Sequence, residues 1–239
     1  MAVSIKQNFF GKTVDGLDVY KFTFVGGKVE VSVLNFGGAI CNIYAPDKNG
    51  KIEDIALGYN DVAGYEDNFP YIGVLVGRIA GRIAGGKFRL DDTDYQLVIN
   101  NGPNNIHGGI KGFSRRVWDA VIDGDKLVLT YKSPDGEEGF PGEINTNVAY
   151  SLTNDGCLTL DYTATSTKSC PINLTNHSYF NLKGQDSDDV LDHVVQINAD
   201  KCVPVDENLI PTGILCFSTR IPCVSLIIII HVYLYHLNI

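Results

Sequence analysis

Leu17–Leu34, L-D-V-Y-K-F-T-F-V-G-G-K-V-E-V-S-V-L, is the stretch whose reading decides the fold. Leu17–Val25 and Lys28–Leu34 each alternate with a period of two, and Gly26-Gly27 lies between them. Alternation of that period belongs to a strand with one face turned to a core. Glycine between two such runs supplies the positive φ that a tight hairpin needs. The same rhythm continues outward. Asn35–Ala39 breaks the run, Ile40–Ala45 resumes it, Pro46–Gly50 turns again and Ile52–Leu57 continues. Further runs fall at Lys87–Ile99, Val117–Ile122, Lys126–Tyr131, Asn145–Thr153 and Leu158–Thr165, separated by Asp123-Gly124, Pro134-Asp135-Gly136 and Asn154-Asp155-Gly156. No apolar periodicity of 3.6 is sustained over a helix length. Many short strands at this spacing predict an all-β chain, an antiparallel sandwich or barrel. The run of strands shows no linker through about residue 213.

Composition excludes several classes of function. With 19 basic and 28 acidic residues the net charge is -9, and no cluster of Lys and Arg stands out. Nucleic acid is therefore not an expected partner. The six cysteines are scattered, without a C-x-x-C pair or His/Cys ligand spacing, which argues against a zinc site or a disulfide scaffold and for a reducing cytosol. The opening residues lack the basic start and apolar core of a signal peptide, so a cytoplasmic location is expected.

Two stretches interrupt the β rhythm. In Pro70–Gly86 the glycines match neither G-K-[ST] nor G-x-G-x-x-G, so no nucleotide is expected there. Arg78 and Arg82 are four apart, a spacing that would put both on one face of a helical turn, one packing structurally and the other reaching a cleft. In Asn100–Arg116, glycines and amides flank His107, a composition that lets backbone and side-chain amides approach a polyhydroxylated ligand. A third stretch, Asn173–Leu182, reads N-L-T-N-H-S-Y-F-N-L and sets His177 between polar and apolar neighbours. A histidine there can move a proton near neutral pH, or be a core residue satisfied by an amide.

Taken in order, G-R-I-A-G-R-I at Gly77–Ile83, N-G-P-N-N-I-H-G-G at Asn101–Gly109 and L-T-N-H-S-Y-F-N-L at Leu174–Leu182 resemble the aldose 1-epimerase (galactose mutarotase) family. K-G-F-S-R-R-V-W-D at Lys111–Asp119, E-G-F-P-G at Glu138–Gly142 and V-D-E-N-L-I-P-T-G at Val205–Gly213 resemble it too. The resemblance covers roughly residues 8 to 213. It implies a large antiparallel β-sandwich with a carbohydrate cleft, and interconversion of the α and β anomers of free aldoses such as galactose and glucose, without cofactor or metal. The expected partner is a small-molecule aldose, the chain being a monomer or weak homodimer with no membrane association. By the same resemblance His177 is the acid that protonates the ring oxygen. His107 and Arg82 hold the sugar, and Ser178 and Tyr179 contribute to the binding wall. Gly81 is a cleft position where some family members carry asparagine.

The resemblance stops after Gly213. Residues 1–213 are expected to form the sandwich, incomplete by family standards, and 214–239 a divergent apolar tail without the family's sugar-binding aspartate and base glutamate. Residues 221–239 hold no acid. Three readings of the tail stand open: a fragment with a tail from altered splicing or read-through, a membrane-associating segment, or an adapted strand. Val224–Leu237 has 14 residues, short of the roughly 20 a membrane span needs. Glu137, Glu138 and Asp192 are conceivable substitutes for the base, though loops usually hold such acids as solvated charges. A contrasting reading is a non-catalytic carbohydrate-binding β-sandwich.

Overall fold

The computed structural model describes residues 3–195 and 199–217. Strands β1 (Ser4–Lys12), β2 (Asp18–Gly26), β3 (Val29–Leu34), β4 (Ile40–Pro46) and β5 (Ile52–Asp54) form an antiparallel meander in sequence order. A single helical turn, α1 (Val62–Glu66), follows; Asp61 caps it by accepting from the Gly64 N–H. Then come β6 (Leu75–Val76), β7 (Arg82–Ile83), β8 (Lys87–Leu90), β9 (Thr93–Gln96) and β10 (Asn105–Ile106). A second meander runs β11 (Asp119–Asp123), β12 (Lys126–Ser133), β13 (Ile144–Leu152) and β14 (Leu158–Ser166). Three two-residue strands, β15 (Thr175–Asn176), β16 (Lys201–Cys202) and β17 (Cys216–Phe217), complete the described strands.

The predicted hairpin is β2–β3, with its turn at Gly27-Lys28, and it explains how the two meanders join. Phe22 pairs with Val33 and Phe24 with Val31, so all four side chains share one face. That face packs on Leu127, Leu129, Val148, Tyr150 and Leu152 of the second meander, with Phe113 and Trp118 between them. The other face of the hairpin is covered as well. Val19, Leu34 and Cys41 pack there against Val62 and Tyr65 of α1 and against Val74 and Val76. Thr23 and Ser32 lie on this second buried face and satisfy each other through a 3.0 Å hydroxyl–hydroxyl bond. The second meander alternates more simply. Along β13, Ile144, Thr146, Val148, Tyr150 and Leu152 are buried, and the residues between them are at least partly exposed.

Three expectations need correction. Lys87–Ile99 is not one strand but a hairpin, β8–β9, reversing at Asp91-Asp92, whose φ values of 47° and 59° mark a primed turn. Strand β1 lies wholly upstream of Leu17–Val25, the first alternating run, and pairs along β2 with a register shift between Phe9 and Gly11. The spacing of Arg78 and Arg82 does not make a helical turn: Arg82 sits on β7, and Arg78 lies on non-helical backbone after β6. Residues 218–239, and with them most of the apolar tail, lie outside the described residues.

Candidate active site

Two small strand pairs build the site, and each ends at a histidine. β6 pairs with β15, Thr175 facing Val76 and Asn176 facing Leu75, which delivers His177 at the end of the ladder. Its N–H donates to the Val74 carbonyl, and its own carbonyl accepts from the Gly73 N–H. β7 pairs with β10, Ile106 facing Arg82, which delivers His107 in the same way. Asn173 joins the two pairs, donating its N–H to the Arg78 carbonyl and accepting from the Ala80 N–H.

The result is a buried cluster of rings drawn from distant parts of the chain. His107 and His177 are 7% and 3% exposed, with ring centroids 5.1 Å apart and planes at 74°. Tyr71 stands edge-on to His107 at 4.7 Å and tilted to His177 at 6.2 Å. Tyr179 packs on the other side of His177 at 5.2 Å. Burial pushes the Tyr71 hydroxyl up in pKa, with the Arg115 charge acting against it. Burial raises the Tyr179 hydroxyl too. Both phenols therefore stay neutral hydrogen-bonding groups at physiological pH.

Gly81 holds His107 from both sides. Its carbonyl accepts from the His107 N–H at 3.1 Å, and its N–H donates to His107 Nδ1 at 3.1 Å. A donor aimed at Nδ1 requires a lone pair there, so the neutral ring carries its proton on Nε2. Gly81 has φ 91°, which a side chain would strain although no neighbour blocks a Cβ. His107 and Tyr71 themselves have φ of 54° and 60°. Left-handed backbone at residues other than glycine costs about 1–3 kcal/mol each and gathers at functional sites. At Gly108 a Cβ would lie 1.8 Å from the Gly77 carbonyl oxygen, which accounts for the H-G-G sequence.

The remaining expected residues are placed as follows. Arg82 is half-buried and donates from Nε to Asn101 Oδ1 at 2.9 Å, which leaves its two terminal nitrogens to bind other groups. Ser178 donates both its N–H and its hydroxyl to Asn176 Oδ1, while Asn176 Nδ2 donates to the Gly73 carbonyl. Tyr179 donates its hydroxyl to the Pro70 carbonyl at 3.1 Å. Arg78 is the structural arginine. It is 2% exposed, donates to Ser133 and to the carbonyls of Pro134, Pro141 and Gly142, and lies over the Phe140 ring. The amides of Asn100–Arg116 do not all face a ligand. Asn100, Asn104 and Asn105 bind the loop's own backbone or that of its neighbours. Tyr71 escapes sequence reading, because nothing local marks a tyrosine that a left-handed backbone turns onto two distant histidines.

Of the three acids considered as a base, Asp192 is the solvated loop charge expected, whereas Glu137 and Glu138 are engaged by neighbouring groups. Glu137 is buried to 11% side-chain exposure, pairs with Arg116 at 2.7 Å and accepts from the Tyr131 and Ser133 hydroxyls. The Glu138 carboxylate accepts the N–H groups of Ile110 and Lys111. Asp192 is exposed and pairs with Lys183 at 2.8 Å. Among the described residues no three His, Cys, Asp or Glu side chains gather as a metal site would require, and no helix is long and apolar enough to cross a membrane.

The aldose 1-epimerase family model matches residues 20–219. The chain belongs to the aldose 1-epimerase family. Galactose mutarotase of Bos taurus is 44% identical over 212 residues, covering 88% of this chain and 62% of that protein. Aldose 1-epimerase of Escherichia coli (strain K12) is 39% identical over 182 residues, covering 76% of this chain and 52% of its own. The crystal structure of galactose 1-epimerase from Lactobacillus acidophilus superimposes with a TM-score of 0.77 at 32% identity, over 90% of this chain and 64% of that one. An aldose epimerase homologue from C. elegans gives the same TM-score at 30% identity. The antiparallel all-β architecture expected from the strand pattern, and the epimerase-type sandwich that the resemblance implied, are thus the fold observed. The chain spans about three fifths of the length of the curated mammalian relatives it matches.

Proposed function

We propose that this chain binds free aldoses such as galactose or glucose against the His107–His177 pair, and interconverts their anomers by acid–base ring opening. The observation that carries the reading is the buried pair of imidazoles, 5.1 Å apart and framed by Tyr71 and Tyr179. Ring opening needs a proton delivered to the ring oxygen while another leaves the C1 hydroxyl, here to solvent water. The open-chain aldehyde then turns about C1–C2 and recloses with the opposite configuration. His177 is the proton donor in this reading. The Nε2–H of His107 and the terminal nitrogens of Arg82 bind sugar oxygens. Tyr179 and Gly81 position the two imidazoles, and Ser178, whose proton is held by Asn176, offers its oxygen as an acceptor. No cofactor or metal takes part, and the cytosol is the compartment proposed.

Polarimetry of fresh α-D-galactose and α-D-glucose tests the reading, with His177→Ala beside the parent chain. A single proton donor is worth about 10²–10⁴-fold in rate. The enzyme reading expects mutarotation faster than buffer, falling by at least about 10²-fold in the variant. One observation favours a second reading, a non-catalytic sugar binder: Glu137, Glu138 and Asp192 are each held by partners of their own. A rate equal to buffer, with saturable sugar binding by calorimetry, would decide for the binder.

A further inference from the structure

The register of the ribbon β16–β17 places two cysteines opposite one another, away from the histidine cluster in sequence. Lys201 faces Phe217, and Cys202 faces Cys216. Directly paired residues of antiparallel strands project to the same side, with Cα atoms about 4.5 or 5.5 Å apart according to the class of pair. Disulfides span Cα separations of about 4.4–6.8 Å, so either class admits the bond without moving the backbone far. Cys216 is exposed and Cys202 half-buried, and both are thiols here. The connecting loop holds its own shape: Val205 bridges to Pro211, Asp206 accepts from the N–H groups of Asn208 and Ile210, and Thr212 donates its N–H to the Pro204 carbonyl. The two thiols are thus brought together by backbone contacts that do not depend on their oxidation. Among the described residues no other two cysteines share a ladder position, and Cys41 is buried.

We propose that Cys202 and Cys216 form a reversible thiol–disulfide switch, oxidised by a low-molecular-weight disulfide such as oxidised glutathione. One thiolate attacks the glutathione disulfide, forming a mixed disulfide and releasing one glutathione thiol. The second cysteine thiolate attacks the protein sulfur of that mixed disulfide and releases the other. Two cysteine thiols are oxidised, one glutathione disulfide is reduced to two thiols, and the two cysteine protons end on them. The product is a covalent ring around Val203–Leu215, the loop that carries V-D-E-N-L-I-P-T-G. Exchange of this kind suits a compartment where lasting structural disulfides are rare and reversible ones report redox state.

The sequence makes the test direct. Trypsin cleaves after Lys201 and after Arg220, so one peptide, 202–220, contains both cysteines and no other. The purified full-length chain is incubated with oxidised glutathione, blocked with iodoacetamide without reduction, digested and weighed. The expected result is loss of both alkylatable thiols from peptide 202–220, which becomes lighter than the dithiol by two hydrogen atoms and regains both thiols on reduction. Cys216→Ser should instead keep a glutathione adduct at Cys202. A parent peptide alkylated at both positions, one that retains glutathione, or one linked through Cys223 to peptide 221–239 would each overturn the proposal.

Discussion

At the residue scale the site depends on backbone as much as on side chains, and Gly81 shows how. It contributes no side chain, yet its N–H and carbonyl fix both the position and the tautomer of His107. Because Gly81 holds φ 91° with open space around a would-be Cβ, a substitution there is resisted by conformation alone. Gly81→Ala is expected to lower unfolding free energy by about 1–2 kcal/mol and to weaken sugar binding, since the N–H aimed at Nδ1 shifts. Gly81→Asn should cost less, as asparagine enters left-handed backbone more readily. Urea denaturation and sugar titration of both variants check this; equal losses would show that the space rather than the φ matters. The family resemblance assigned Arg82 to the sugar, but Asn101, which orients it, was legible only as one amide among several.

At the element scale, two arginines of one glycine-rich stretch have opposite duties. Arg78 joins the turn around Ser133-Pro134 to that around Pro141-Gly142, beneath the loops that carry the site. Removing it leaves several buried carbonyls without a donor, each worth about 1–3 kcal/mol. Arg78→Ala should therefore destabilise the chain by about 3 kcal/mol or more, and Arg78→Lys should not rescue it, because an ammonium cannot reproduce the planar fork. Arg82→Ala, which loses the side-chain hydrogen bond to Asn101, should stay within about 1 kcal/mol of the parent while weakening sugar binding. Thermal melts and calorimetry on the three variants separate the roles; a large melting shift for Arg82→Ala would reverse the assignment. The sequence marked the stretch as special. Its spacing alone could not say which arginine turned inward, because that choice is made by Ser133 and Phe140, at the end of β12 and in the loop that follows it.

At the scale of the whole molecule, a thiol and several phenols buried where the elements pack together set the alkaline limit of stability. Burial pushes the Cys41 thiol up from 9.0 to about 12. The hydroxyls of Tyr65, Tyr150 and Tyr162 are also raised by burial. The native chain thus retains protons that the unfolded chain releases. Their contribution to stability is intact below the unfolded pKa and is lost as pH rises toward the folded one. For Cys41 the window runs from 9.0 to about 12, with a slope of at most about 1.4 kcal/mol per pH unit. Urea midpoints through that window should fall steadily, and Cys41→Ala should flatten the lower part of the decline. A flat profile in the parent chain would contradict the burial assigned to these groups. Native Cys41 should also resist alkylation where Cys157 and Cys216 react, read by mass spectrometry of the labelled chain.

By itself the sequence determined the strands of both meanders apart from β1, because a period of two fixes which residues can share a face, and glycine, proline and aspartate mark where the chain reverses. It determined family membership too, since ordered motifs around Arg82, His107 and His177 survive as letters. Only the tertiary structure decided that the hairpin is covered on both faces, because the segment around Val62, Tyr65 and Val74 that covers the second face shows no alternation of its own. It alone turned Tyr71 onto the histidines and drew Glu137 inward to Arg116, Tyr131 and Ser133. These are contacts between residues far apart in the chain or turned by backbone dihedrals. They depend on which surfaces meet once the sheets have packed, and no local pattern of residue types encodes that.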